Sequence, residues 1–181
     1  MKKYILVLST IMSSLFIYSC EKQEESYKYF TVNIDGKDYT YVTKTAYHYA
    51  DKENKFGDMQ IMGQNDEYGE YSHCVVNIEY RQQGNGSYTL TDLKTLMEDV
   101  KSQTDNKYVH VHVNLGRDYK ENIAKYRFPE TMGSTIVVNE NNGYYDFTFF
   151  EPVHLNKTSY LGTPPSNAPY NIKLKISKAY I

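Results

Sequence analysis

From Tyr29 onward the chain alternates apolar and polar residues over short stretches, the period of two that marks half-buried strands. In residues 29–34, Phe30, Val32 and Ile34 share one side. Asp35-Gly36 follows, and both central positions of a type I′ hairpin turn need the positive φ that this pair tolerates. Residues 37–50 return as a long strand, with Tyr39, Tyr41, Thr43, Thr45, Tyr47 and Tyr49 on one face. Polar loops at 51–58 and 65–72 flank a third strand at 59–64. A fourth strand at 73–80 turns Cys74, Val76, Ile78 and Tyr80 inward, and the turn Gln82-Gln83-Gly84-Asn85-Gly86 leads to a short fifth at 87–91.

The period then changes. Leu93, Leu96, Met97 and Val100 are spaced i, i+3, i+4, i+7, which is one face of a helix. Thr91 or Asp92 can cap its start, since either side chain accepts from a free backbone N–H. One short helix is expected near 92–102. Residues 108–115 resume alternation, with Val109, Val111, Val113 and Leu115 inward and Tyr108, His110, His112 and Asn114 outward. Residues 116–127 fit either a short helix or a strand. Residues 135–139 and 144–150 form a hairpin, 154–169 read as a long loop with Pro164, Pro165 and Pro169, and 171–177 close as a strand with Ile172, Leu174 and Ile176 inward. About eight to ten short strands with one helix predict a mostly β fold, an antiparallel β-sandwich or a partly closed β-barrel.

The N-terminus follows a different rule. Lys2 and Lys3 precede an uncharged, mostly apolar run at 4–17. Its length suits a secretory leader and falls short of the ~20 residues of a membrane-spanning helix. The run ends at Ser19-Cys20, with charge beginning at Glu21. This junction resembles the lipobox of bacterial lipoproteins. The resemblance implies cleavage before Cys20 and a diacylglyceryl thioether on its sulfur, usually with a further acyl chain on the new N-terminus. At ~0.8 kcal/mol per buried methylene, two or three chains hold firmly where one does not. The expected organisation is a leader at 1–19, a lipidated Cys and polar tether at 20–28, and a single β-rich domain at 29–181. Glu21-Lys22-Gln23-Glu24-Glu25 resembles the acidic export signal of Bacteroides-type lipoproteins, implying an outer-membrane anchor exposed at the cell surface. A periplasm-facing anchor is the alternative.

Composition sharpens this picture. A chain of 181 residues fits one domain. It has 20 basic and 22 acidic residues, and Lys2 and Lys3 leave with the leader. No basic stripe or basic-aromatic motif points to nucleic acid. With Cys20 carrying lipid, Cys74 has no partner for a disulfide and reads as a buried thiol in an apolar strand. The distinctive count is 20 Tyr against no Trp and 7 Phe. The stretches Phe30-Thr31-Val32-Asn33-Ile34-Asp35-Gly36-Lys37 and Gly86-Ser87-Tyr88-Thr89-Leu90, with the late hairpin at 133–150, resemble the small all-β lipoproteins of Bacteroides-like bacteria. That family brings no assigned activity to carry over.

No nucleophile elbow, P-loop or dinucleotide fingerprint occurs, so no catalytic residue, enzyme activity or cofactor is expected. His110 and His112 project from one face of a strand and could hold zinc or copper with a third ligand from elsewhere, such as His48, His73, His154 or a carboxylate. The same pattern suits polar positions on a solvent-facing sheet, and no metal is expected. Asp51, Glu53 and Asp58, or Asp66, Glu67 and Glu70, supply oxygen ligands without a calcium-loop spacing. Tyr39, Tyr41, Tyr47 and Tyr49 are the candidate ligand-binding residues, because exposed tyrosine offers a large face and a polar tip. The expected function is a lipid-anchored, non-enzymatic binding or accessory module for a glycan, peptide or protein partner. The alternatives are a structural subunit of a surface assembly, donating its final strand (171–181) to a neighbour, or a small metal-dependent hydrolase.

Overall fold

The structure is a computed structural model that describes residues 29–163, 165 and 167–180. The leader, Cys20 and the acidic tether lie outside the described residues. The elements in chain order are β1 (Tyr29–Ile34), β2 (Lys37–Asp51), β3 (Phe56–Gln64), a 3-10 turn (Asp66–Tyr71), β4 (His73–Arg81), β5 (Gly86–Leu90), α1 (Leu93–Ser102), β6 (Tyr108–Gly116), β7 (Ile123–Pro129), β8 (Thr135–Asn141), β9 (Tyr144–Phe149), β10 (Val153–Leu161), β11 (Asn171–Lys175) and β12 (Lys178–Tyr180).

Eight strands close an antiparallel barrel in the order β1-β2-β3-β4-β6-β7-β10-β11, with β11 returning to β1. The opening hairpin forms as its turn residues dictate. Ile34 pairs with Lys37 across Asp35 (φ 49°) and Gly36 (φ 83°). Strand β6 divides its second edge. Val113–Gly116 pair with β7, while Tyr108 and Val109 take β5 in parallel. From β5 a side sheet continues through β8, β9 and β12.

The barrel interior is filled by side chains, among them Val32, Met59, Ile61, Val76, Ile78, Val111 and Val113. Both ends are covered. At one, Tyr41 stacks on Phe30 and meets Tyr68 of the 3-10 turn edge-on. Its hydroxyl donates to the Tyr71 carbonyl at 2.7 Å. A Cβ on Gly63 would stand 2.5 Å from the Phe30 ring and 2.7 Å from Tyr41 Cβ, so the bare glycine is what lets these rings lie against the strand. At the other end, Tyr80 packs against Tyr145 and Phe147 of the side sheet, each at 4.8 Å between ring centroids.

Helix α1 starts where the sequence places it. The Asp92 carboxylate accepts from the Thr95 backbone N–H at 2.9 Å, and Leu96 and Val100 are buried. Met97, expected on the same apolar face, is exposed. The ambiguous stretch after Gly116 becomes β7. The expected loop at 154–169 is largely a barrel strand, β10. Two register shifts against β7 break its alternation, and its exposed Thr158, Ser159 and Tyr160 look like loop residues in sequence. β11 is paired on both sides, by β1 and β10. β12 continues β9. The strand that could be donated to a neighbour is therefore taken up within the chain as far as Tyr180.

Candidate functional site

A β-bulge decides which tyrosines reach solvent. Thr43 pairs with Gly63, but Thr45 pairs with Met62, leaving Lys44 as an extra residue in β2. An extra residue reverses the faces of everything beyond it. Tyr39 and Tyr41 therefore point inward, with Tyr41 0% exposed. Tyr47 and Tyr49 point outward, 58% and 61% exposed. The expectation that all four share one face is corrected here: strict alternation holds only on either side of Lys44.

The outward pair stands at the margin of a polar face. In register across adjacent strands, Tyr49 is followed by Asp58, Glu79 and His110, and Tyr47 by Gln60, Asn77 and His112. Directly paired residues share a face, so these eight side chains form two parallel rows on the outside of the barrel. Strands ~4.8 Å apart make each row roughly 14 Å long. The segment from Thr91 to α1 covers the far end.

That cover changes the histidines. His110 is 0% exposed and His112 8%, so these are buried rather than solvent-facing positions. His110 Nδ1 lies 3.0 Å from the Thr91 carbonyl oxygen. A carbonyl only accepts, so Nδ1 carries the proton and Nε2 keeps its lone pair. That Nε2 is buried without a hydrogen-bond partner, as are His112 Nδ1, Glu79 Oε2 and Asp58 Oδ1. His112 Nδ1 and Glu79 Oε2 are 3.7 Å apart, beyond hydrogen-bond length but within ion-pair range. Among the described residues, Glu79, His110 and His112 each place one ligand atom within 4.8 Å of the other two.

The electrostatics follow from burial and neighbours. Burial lowers the His110 pKa; the Thr91 carbonyl and Glu79 oppose this and His112 adds to it. Burial alone would raise Glu79, but His112 beside it, then His110 and Arg127, hold its carboxyl below the usual range. Asp58 is raised, first by burial and then by Glu79, with His112 and Gln60 opposing. The result is a neutral imidazole, an ionised carboxylate and a carboxyl that holds its proton longer, side by side.

Glu79, Asn77 and Arg127 were not singled out by sequence, and Asp58 was considered only as an oxygen ligand of the loop before β3. The signal for Glu79 was its place opposite Cys74, Val76 and Ile78 on an alternating strand. Nothing local ties that strand's register to His110 and His112. The other histidines lie elsewhere. His48 Nε2 meets the Tyr80 hydroxyl at 2.6 Å, His73 Nδ1 meets Ser72 Oγ at 3.0 Å, and His154 lies 3.9 Å from Glu130. The acidic loops serve local structure: Asp51 binds Asn54, Gln64 donates to Asp66, and Glu70 pairs with Arg117 at 2.6 Å. Asp58 belongs to β3, away from the loop it was grouped with. Cys74 is buried, and burial pushes its thiol well above the ordinary value.

Two surface cavities of about 370 and 380 Å³ share Phe149, Phe150, Glu151 and Pro152. Among the described residues Glu151 is the one carboxylate lining either, and neither is lined by a histidine. Fold and site together define an all-β protein with a closed eight-stranded barrel and an aromatic-edged polar surface on its outside. No family model, curated protein or solved structure matches the chain.

Proposed function

We propose that the chain is a lipid-anchored lipoprotein of the bacterial envelope, held at the outer membrane through Cys20 and exposed at the cell surface, whose barrel is a non-enzymatic binding module for a glycan. The observation that carries this is the placement of Tyr47 and Tyr49. Two exposed rings two residues apart on one strand offer flat apolar faces, and the adjacent Asp58 and Gln60 offer polar groups for hydroxyls. Tyrosine supplies such a surface at low conformational-entropy cost. The packed barrel interior supports a surface site rather than an enclosed one.

The test is a glycan array probed with the purified protein, followed by titration of any hit. Binding weakened at least about tenfold by Tyr47→Ala/Tyr49→Ala supports the reading, a loss within the usual range for aromatic anchors. An array without hits, or a hit indifferent to both changes, rejects it. The anchor is tested separately: radiolabelled palmitate is expected in the membrane-bound protein and absent from Cys20→Ala.

A further inference from the structure

The geometry points to a divalent transition-metal site built by Glu79, His110 and His112, with zinc as the ion that suits it. Three observations carry this. First, the donor set is two imidazoles and a carboxylate, one of the known zinc combinations with an open fourth position. Second, Nε2 of His110, Nδ1 of His112 and Oε2 of Glu79 are buried without hydrogen bonds, the last two facing each other at 3.7 Å. Leaving polar atoms buried without partners is costly, and an ion satisfies all three at once. Third, the support is already present. His110 donates Nδ1–H to the Thr91 carbonyl, the arrangement by which a metal-bound histidine is fixed in tautomer and orientation.

The distances are near those required. Ligands bonded at ~2.0–2.2 Å to a tetrahedral ion stand ~3.4 Å apart. His112 Nδ1 and Glu79 Oε2 are at 3.7 Å, and each of the three residues has a ligand atom within 4.8 Å of one on the other two. Small side-chain rotations close the remainder. Arg127 near Glu79 is the local cation opposing an ion, and the Asp58 and Glu79 carboxylates offset it. Glu79 and His112 retain slight exposure where His110 has none, so an ion enters from their side. Water fills the fourth position, or Asp58, whose Oδ1 lacks a hydrogen bond and which pairs in register with Glu79, supplies it. Metal binding here needs no glycan, so a failed glycan screen leaves it standing.

The deciding experiment dialyses the purified protein against zinc, removes excess and measures metal per chain, with cobalt(II) as a spectroscopic probe. The expected result is about one equivalent of zinc and the intense visible bands of low-coordinate cobalt. His112→Gln and Glu79→Gln are each expected to weaken binding at least about tenfold. These partly accessible positions spare the fully buried His110, and circular dichroism confirms folding. If either variant misfolds, the other decides. No retained zinc, or zinc retained equally by folded His112→Gln and Glu79→Gln, overturns the assignment.

Discussion

Arg81 of β4 and Asp99 of α1 meet at 2.9 Å between Nε and Oδ2, with both side chains almost wholly removed from solvent. The remaining guanidinium nitrogens donate to the carbonyls of Asn54 and Thr104, at 2.7 and 2.9 Å. Asp99 Oδ1 accepts from Asn106 at 2.6 Å and from the Thr104 hydroxyl. A buried charge keeps its place only when paired and hydrogen-bonded. This pair ties the far half of the helix to the sheet that carries Glu79.

Removing one member strands the other. Arg81→Met and Asp99→Ala are each expected to lower stability by about 3–5 kcal/mol, and the double replacement to cost less than the two singles combined. Urea unfolding of the three variants checks this. Additive losses would show that the residues act independently.

The bulge at Lys44 makes tyrosines of one strand unequal. Tyr41→Ala is expected to cost about 3–5 kcal/mol, as for other large aromatic deletions from a core. Tyr41→Phe removes only the bond to the Tyr71 carbonyl, about 1 kcal/mol. Tyr47→Ala and Tyr49→Ala are expected to fall within about 0.5 kcal/mol of the parent. Thermal unfolding ranks the four, and a large cost at Tyr49 would contradict the reversal of faces.

Stability is expected to fall between about pH 7 and about pH 5.5. Burial holds His110 below a free imidazole, and it does the same to His48. As pH drops through ~6.5 the unfolded chain takes up protons that the folded chain resists, so the folded state loses ground by at most ~1.4 kcal/mol per pH unit per group. Glu79 acts lower. Its folded value is depressed, so its contribution is complete above ~4.3 and disappears as pH falls through the folded value. Asp58 runs the other way: its raised folded value lets the fold bind a proton first, a gain on acidification that sets in above ~3.9. Urea midpoints at the two pH values test the histidine effect, and His48→Gln should shrink it. A midpoint that does not move rejects it.

Much of the barrel was legible because its strands obey the period of two. Residues 73–80 and 108–115 were placed with the correct inward sides, and Leu96, Val100 and the Asp92 cap marked the helix. Strand β10 was not legible. Its exposed Thr158, Ser159 and Tyr160 and its register shifts against β7 erase the alternation, and only pairing by distant β7 and β11 makes it a strand. Lys44 hid for a similar reason, since a bulge is a property of two strands and appears in neither alone. At the candidate site, His110 and His112 announced themselves by spacing. Glu79 did not, because its nearness comes from the β4–β6 register, and the burial of His110 comes from the Thr91 carbonyl and the helix that follows.

The closing seam has a consequence for how the chain emerges. Val32 lies opposite Leu174, so β1 is the first barrel strand made and pairs on its outer edge with the last, β11. Closure by such distant partners is slow. During synthesis, β1 must wait with one edge of its backbone bare, and bare edges recruit other strands. The growing chain is therefore most vulnerable to aggregation, and most in need of a holding chaperone, before residue 175 appears.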